Sequence, residues 1–104
     1  MQFLVLGYDG ADAGAKERRL TARPAHIVLG DKMVKRGEAI CGVTLLDESG
    51  EMRGSAYVVD FPDHTALDAW LAEEPYMTGK VWQKIEVIPC KIGSSFEHII
   101  PKKS

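Results

Sequence analysis

Two short runs hold the groups best suited to move a proton in this chain: Arg23-Pro24-Ala25-His26 and, some fifty residues later, Glu73-Glu74-Pro75-Tyr76. An imidazole changes charge near neutral pH, and a carboxylate beside it fixes its tautomer and supports its protonated form. Such a pair performs general acid–base catalysis, with a guanidinium such as Arg23 available to hold a developing oxyanion. Each half also has a bland reading. His26 lies at the edge of an apolar stripe beside Leu29 and Met33, where a histidine can simply bond a backbone carbonyl. Glutamates that end a helix are commonly solvated, and the helix dipole slightly disfavours them. The chemistry therefore turns on whether His26 and Glu74 meet.

The elements that would bring them together follow from hydrophobic period and turn residues. Residues 3–6 are an apolar run closed by Gly7 and a Tyr8-Asp9-Gly10 turn, which predicts a strand buried on both faces. A helical pattern runs from residue 13 to 36, with Gly37 as its stop. Pro24 interrupts it, so the expectation is a short helical turn before Arg23 and a main helix that starts at Pro24. Arg19 reaches the face of His26 only if that preceding turn stays helical. Residues 39–46 and 55–61 read as a hairpin joined by Asp47-Glu48-Ser49-Gly50. Asp63 is a good N-cap for a second helix carrying Leu67, Trp70 and Leu71 on one face, and Pro75 ends it. Residues 81–89 form the last strand, with Val81, Ile85 and Val87 on one side and Trp82 and Ile88 on the other. The chain divides into a domain over 1–92 and a tail over 93–104, for which Phe96, Ile99 and Ile100 are candidate anchors.

The order β-α-β-β-α-β is a split βαβ pattern. With right-handed crossovers it predicts a four-stranded antiparallel sheet in the order 4-1-3-2, both helices on one face, an α+β ferredoxin-like fold. The third strand then offers Tyr57, Val59 and Phe61 to one side and Ala56 and Val58 to the other. Helices cover only one of these apolar faces, and a homodimer packed sheet to sheet is the simplest cover for the second.

Composition narrows the partners. A formal charge of -2 and a pI near 5.9 give no general attraction to nucleic acid or anionic membranes. Arg53-Gly54-Ser55-Ala56-Tyr57-Val58 partly matches an RNA-binding strand signature, but Ser55 and Asp60 stand where stacking aromatics are needed. No apolar run approaches a membrane span, and the N-terminus lacks a basic leader, which predicts a cytoplasmic protein. Cys41 and Cys90 lie among apolar neighbours and are expected to be buried, reduced thiols. His26, His64 and His98 share no metal-ligand spacing with them, and no phosphate-cradling glycine motif is present. The expectation is no metal and no cofactor.

The run Arg19-Leu20-Thr21-Ala22-Arg23-Pro24-Ala25-His26, with Gly37, Gly42, Gly54-Ser55 and Glu74-Pro75-Tyr76, resembles the YciI-like (YCII-related) proteins over roughly residues 2–92. The resemblance implies a ferredoxin-like dimeric α+β barrel whose active-site pocket holds a histidine–aspartate pair. Most members have no assigned reaction, and a dehydrochlorinase acting on a chlorinated aromatic is a named activity among them. Carried onto this chain, the histidine is His26 and the aspartate position holds Glu74, one methylene longer. Arg23 and Ser55 fall near the pocket, and Pro75-Tyr76 match directly. Val43 stands where members often carry a proline, and the last residues run past the usual end.

These readings predict a small-molecule enzyme with His26 and Glu74 catalytic and Arg23, Ser55 and Tyr76 binding substrate. Isomerase, lyase or dehydrochlorinase-like chemistry fits such a set. The alternative is a non-catalytic ligand-binding or accessory homodimer with the same pocket.

Overall fold

Along the first strand, Phe3, Val5 and Gly7 are buried while Leu4, Leu6 and Tyr8 between them are half-exposed, so its two faces differ. The computed structural model describes residues 1–101. This strand is β1 (Gln2–Asp9), followed by α1 (Ala15–Lys35), β2 (Ala39–Leu46) and β3 (Met52–Asp60). Then come α2 (His64–Glu73), a single turn α3 (Pro75–Thr78), β4 (Trp82–Cys90) and a 3-10 helix over Ser94–Ile99. The sheet order is β2-β3-β1-β4 with every pairing antiparallel, which is the expected 4-1-3-2 order and an α+β ferredoxin-like arrangement. No described helix is long and apolar enough to cross a membrane.

Local chemistry fixes the element ends. Gly37, at φ 74°, ends α1 with paired bonds from its own N–H to the Val34 carbonyl and from Glu38 N–H to the Met33 carbonyl. The Asp63 carboxylate accepts the Ala66 N–H at 2.9 Å and starts α2. In the β2–β3 turn, Asp47 accepts from Ser49 and Glu51, and Gly50 takes a positive φ.

One sheet face carries Phe3, Val5, Val59 and Tyr57, and Met33 of α1 with Leu67, Trp70 and Leu71 of α2 close over it. The register puts Leu4, Leu6, Ala56, Val58, Val43 and Ile88 on the other face. No described helix covers that face, and Val43 is 60% exposed.

Four expectations need correction. The helix does not restart at Pro24: α1 runs unbroken from Ala15 to Lys35 with Pro24 inside it. The ring removes one N–H, but Pro24 and Leu20, whose carbonyl loses that bond, both sit on the exposed side where water can replace it. Trp82 lies with the helix-side residues, not with Ile88, because a bulge where Tyr8 faces Lys84 and Asp9 faces Trp82 shifts the alternation by one. Its ring lies on Gly7, where an added Cβ would come within 2.4 Å of the indole. Cys41 is exposed because it sits on edge strand β2, on the uncovered face, and Cys90 on edge strand β4 is half-buried. Phe96 and Ile99 are exposed, since three residues per turn put both on one edge of the 3-10 helix and that edge faces solvent. Positions 102–104 of the expected tail lie outside the described residues.

Candidate functional site

The α2–α3 junction sets the carboxylate. Glu74 closes α2 and also caps α3, with an extended backbone (φ −60°, ψ 123°) and Pro75 as the first residue of the new turn. Its side chain therefore turns inward and is completely buried. The expected penalty for an acid at a helix end does not apply, because Glu74 serves as an N-cap and accepts the Tyr76 N–H at 3.3 Å. Trp70 Nε1, one turn earlier, donates to Oε2 at 3.2 Å. The remaining approach to Oε1 is taken by Nδ1 of His26, which hydrogen-bonds to it from α1. Trp70 and the Tyr76 backbone only donate, which suits a carboxylate that accepts at every contact, and opposite such a carboxylate a neutral His26 ring carries its proton on Nδ1. That leaves Nε2 as the ring nitrogen without a partner among the described residues. The added methylene of glutamate does not keep the pair apart.

Aromatic rings lock the imidazole. Tyr76 stacks on it at 3.8 Å and 11°, while Tyr57 and Trp82 meet it edge-on at 5.9 and 6.3 Å. The Tyr76 phenol is pushed above its ordinary value, mainly by burial, with Arg19 and Arg23 pulling the other way.

A second polar centre lies on the same side of the sheet. Because α1 continues through Pro24, Arg19 falls two turns before His26 on one helix face, and its side chain is 2% exposed. Its Nη2 donates to the Gly54 carbonyl at 2.6 Å and to Ser55 Oγ at 2.9 Å, and its Nε lies 3.1 Å from Asp9 Oδ2. Trp82 Nε1 also donates to Ser55 Oγ, at 3.2 Å. With two donors on that oxygen, both Ser55 lone pairs are engaged and its hydrogen is free to be given outward. Burial pushes the Asp9 carboxyl up, and the neighbouring Arg19 opposes this.

Both centres border one cavity of about 290 Å3 between α1 and the β2–β3 side of the sheet. Arg23, His26, Ser55, Tyr57 and Tyr76 line it. The structure thus brings together His26, Glu74 (behind His26), Arg23, Ser55 and Tyr76. Sequence reasoning missed Trp70 and Trp82 as supports and treated Trp70 as core alone. The available signal was that a buried indole N–H requires an acceptor. It also missed Asp9. Among the described residues no group of three or more His, Cys, Asp or Glu is placed to hold a metal ion.

A ferredoxin-like sheet roofed by helices, with a buried histidine–carboxylate pair opening on a cavity, defines a class of small α+β pocket proteins. The chain matches the YCII-related domain over residues 1–91 and belongs to that family. It is 26% identical over 97 residues to Protein YciI of Escherichia coli O6:H1, and equally to that of Shigella flexneri, an alignment covering 88% of this chain and 97% of each relative. Among solved structures it is similar to 5-chloro-2-hydroxyhydroquinone dehydrochlorinase (TftG) from Burkholderia phenoliruptrix AC1100, in complex with 2,5-dihydroxybenzoquinone. The TM-score is 0.77 at 17% identity, covering 91% of this chain and 98% of the other, a likeness of fold.

Proposed function

We propose that this protein is a cytoplasmic, cofactor-independent enzyme that moves a proton on a small oxygenated ring, with His26 as the acid–base group. The observation that carries the reading is the Glu74 carboxylate, wholly buried and met by three donors, one of them the imidazole bordering the cavity. Glu74 holds the Nδ1 proton and stabilises the imidazolium that forms when Nε2 takes a proton from substrate. Ser55, fixed as a donor, and the Arg23 guanidinium hold the oxygen on which negative charge develops. Tyr76 keeps the imidazole plane in place by stacking.

In an elimination, Nε2 removes a hydroxyl proton and the electron pair re-forms a ring carbonyl. The imidazolium then returns a proton to the chlorine-bearing ring carbon. Chloride leaves that carbon with its bonding pair as a second hydroxyl proton is lost and that oxygen becomes a carbonyl, giving a hydroxyquinone. The sum is loss of HCl, which needs no outside oxidant. The ring-binding fold relative makes chlorinated hydroxyquinols the first substrates to try. An isomerisation would use the same two proton transfers without the leaving group.

The working unit of this proposal is a homodimer that buries the uncovered sheet face. Leu4, Leu6, Val58, Val43 and Ile88 there supply an apolar surface suited to an interface above about 1,000 Å2.

The test is chloride release from 5-chloro-2-hydroxyhydroquinone, followed by ion chromatography for wild type and His26→Ala. The reading expects catalysed release that falls at least about 100-fold in the variant. Equal release by the folded variant would contradict it. Tight binding of 2,5-dihydroxybenzoquinone without turnover of chlorinated or unchlorinated hydroxyquinols would favour the ligand-binding alternative.

A further inference from the structure

Tyr57 has no place in the chemistry above, yet its ring is held by aromatic neighbours and two glycines lie against it. It sits on β3 two residues from Ser55, so both side chains leave the same face about 6.6 Å apart at Cα. Its ring is fixed edge-on between His26, at 5.9 Å, and Trp70, at 5.6 Å. Two glycines leave room for it. Gly42, its cross-strand partner on β2, would put a Cβ 3.4 Å from the ring. Gly30, one turn after His26 in α1, would put a Cβ 3.0 Å from the phenolic oxygen, the one atom of another element within 4 Å. Glycine inside a helix costs about 1 kcal/mol against alanine, so the position is not explained by the stability of α1.

The hydroxyl itself has no hydrogen-bond partner among the described residues, and it borders the cavity that His26 and Ser55 line. An unpaired phenol facing a cavity needs an acceptor from whatever fills it. We propose that Tyr57 is a second hydrogen-bond donor to the ligand, that Gly30 is kept small to admit it, and that the pocket selects a ring bearing at least two oxygen acceptors, one for Ser55 and one for Tyr57. The phenol is held in its donor form: burial first, then Glu74, Asp31 and Tyr76, push it up to about 12. It is a binding and selectivity group rather than a proton carrier, a role left to His26.

This inference rests on the reading of the cavity as a site for an oxygenated ring, and the experiment separates the two. Binding of 2,5-dihydroxybenzoquinone is titrated by its visible absorbance with wild type, Tyr57→Phe, Gly30→Ala, the double variant and His26→Ala. Tyr57→Phe should bind about tenfold more weakly at an unchanged thermal midpoint, the loss expected for one hydrogen bond. Gly30→Ala should weaken binding severalfold by displacing the hydroxyl while leaving the midpoint equal or higher. In the Tyr57→Phe background the alanine should cost nothing more, because the atom it displaces is gone. Tyr57→Phe binding within twofold of wild type, with His26→Ala still impaired, would overturn the role of Tyr57 and leave the pocket reading standing. No binding by wild type would overturn both.

Discussion

Glu74 and Asp9 are both buried carboxylates, each tied to a residue of α1, but they are furnished in opposite ways. Glu74 has donors on both oxygens, and one of them, His26, keeps its second ring nitrogen, Nε2, open to take a proton from the cavity and return it. Asp9, with its side chain 5% exposed, faces the Arg19 guanidinium, which cannot lose a proton, and its Oδ1 has no partner among the described residues. One centre is therefore able to exchange protons, while the other can only hold Ser55 and the β1–β3 backbone in place. Two buried acids in one small fold need not share a role, and the donor each one meets decides which it has.

The contrast is broken most forcefully at Arg19. Arg19→Ala would leave Asp9 buried and uncompensated and release both Gly54 and Ser55, so urea denaturation should show a loss of about 3–5 kcal/mol. A loss below about 1 kcal/mol would mean that the Asp9 centre does not hold the fold. Glu74→Gln should act the other way round. It keeps length and shape and should cost about 1–3 kcal/mol of stability, while lowering chloride release more than tenfold by removing the charge behind the imidazolium. Equal losses of fold and turnover in both variants would erase the distinction drawn here.

Pro24 sharpens the same comparison, because the unbroken helix is what carries Arg19 to its centre. Pro24→Ala restores an N–H to the helix interior, and should raise stability by up to about 2–3 kcal/mol without disturbing either centre. A destabilised variant would mean the proline shapes α1 in some way its exposed position does not show.

The smallest effect concerns the phenols. All three tyrosines are raised above 10.0, Tyr57 most clearly, to about 12, with burial as the leading cause in each. A raised acid favours the folded state only while it stays protonated. That stabilisation is whole below the unfolded value near 10 and is lost as pH climbs through the folded value. Phenolate absorbance should therefore appear late, and stability should fall between about pH 10 and 12. Ordinary titration at pH 10 would place Tyr57 in solvent.

Much of this was legible in the residues. The Asp63 cap, the Gly37 stop and the Asp47–Gly50 turn each act locally, so the strand order followed from them and from crossover handedness. What escaped notice depends on non-local compensation. The continuity of α1 through Pro24 depends on where water can reach the Leu20 carbonyl, and the face of Trp82 depends on a bulge against β1. Glu74 looked like the end of one helix because the cap it supplies belongs to the next. For the site, His26, Glu74 and Arg23 stand out by residue chemistry, and the family resemblance adds Ser55 and Tyr76. Arg19 was tied to a continuous helix, whereas Trp70 and Trp82 are recognisable as supports only once their buried donors are followed to acceptors.

The central claim is that Glu74 holds the His26 proton on Nδ1 and leaves Nε2 to the cavity. Long-range 1H–15N spectra of the imidazole rings, with His26 assigned by His26→Ala, test this directly. The neutral ring should be the Nδ1–H tautomer, with a downfield Nδ1 proton that shifts upfield in Glu74→Gln. A neutral His26 protonated on Nε2, or one whose signals ignore the Glu74 substitution, would contradict it.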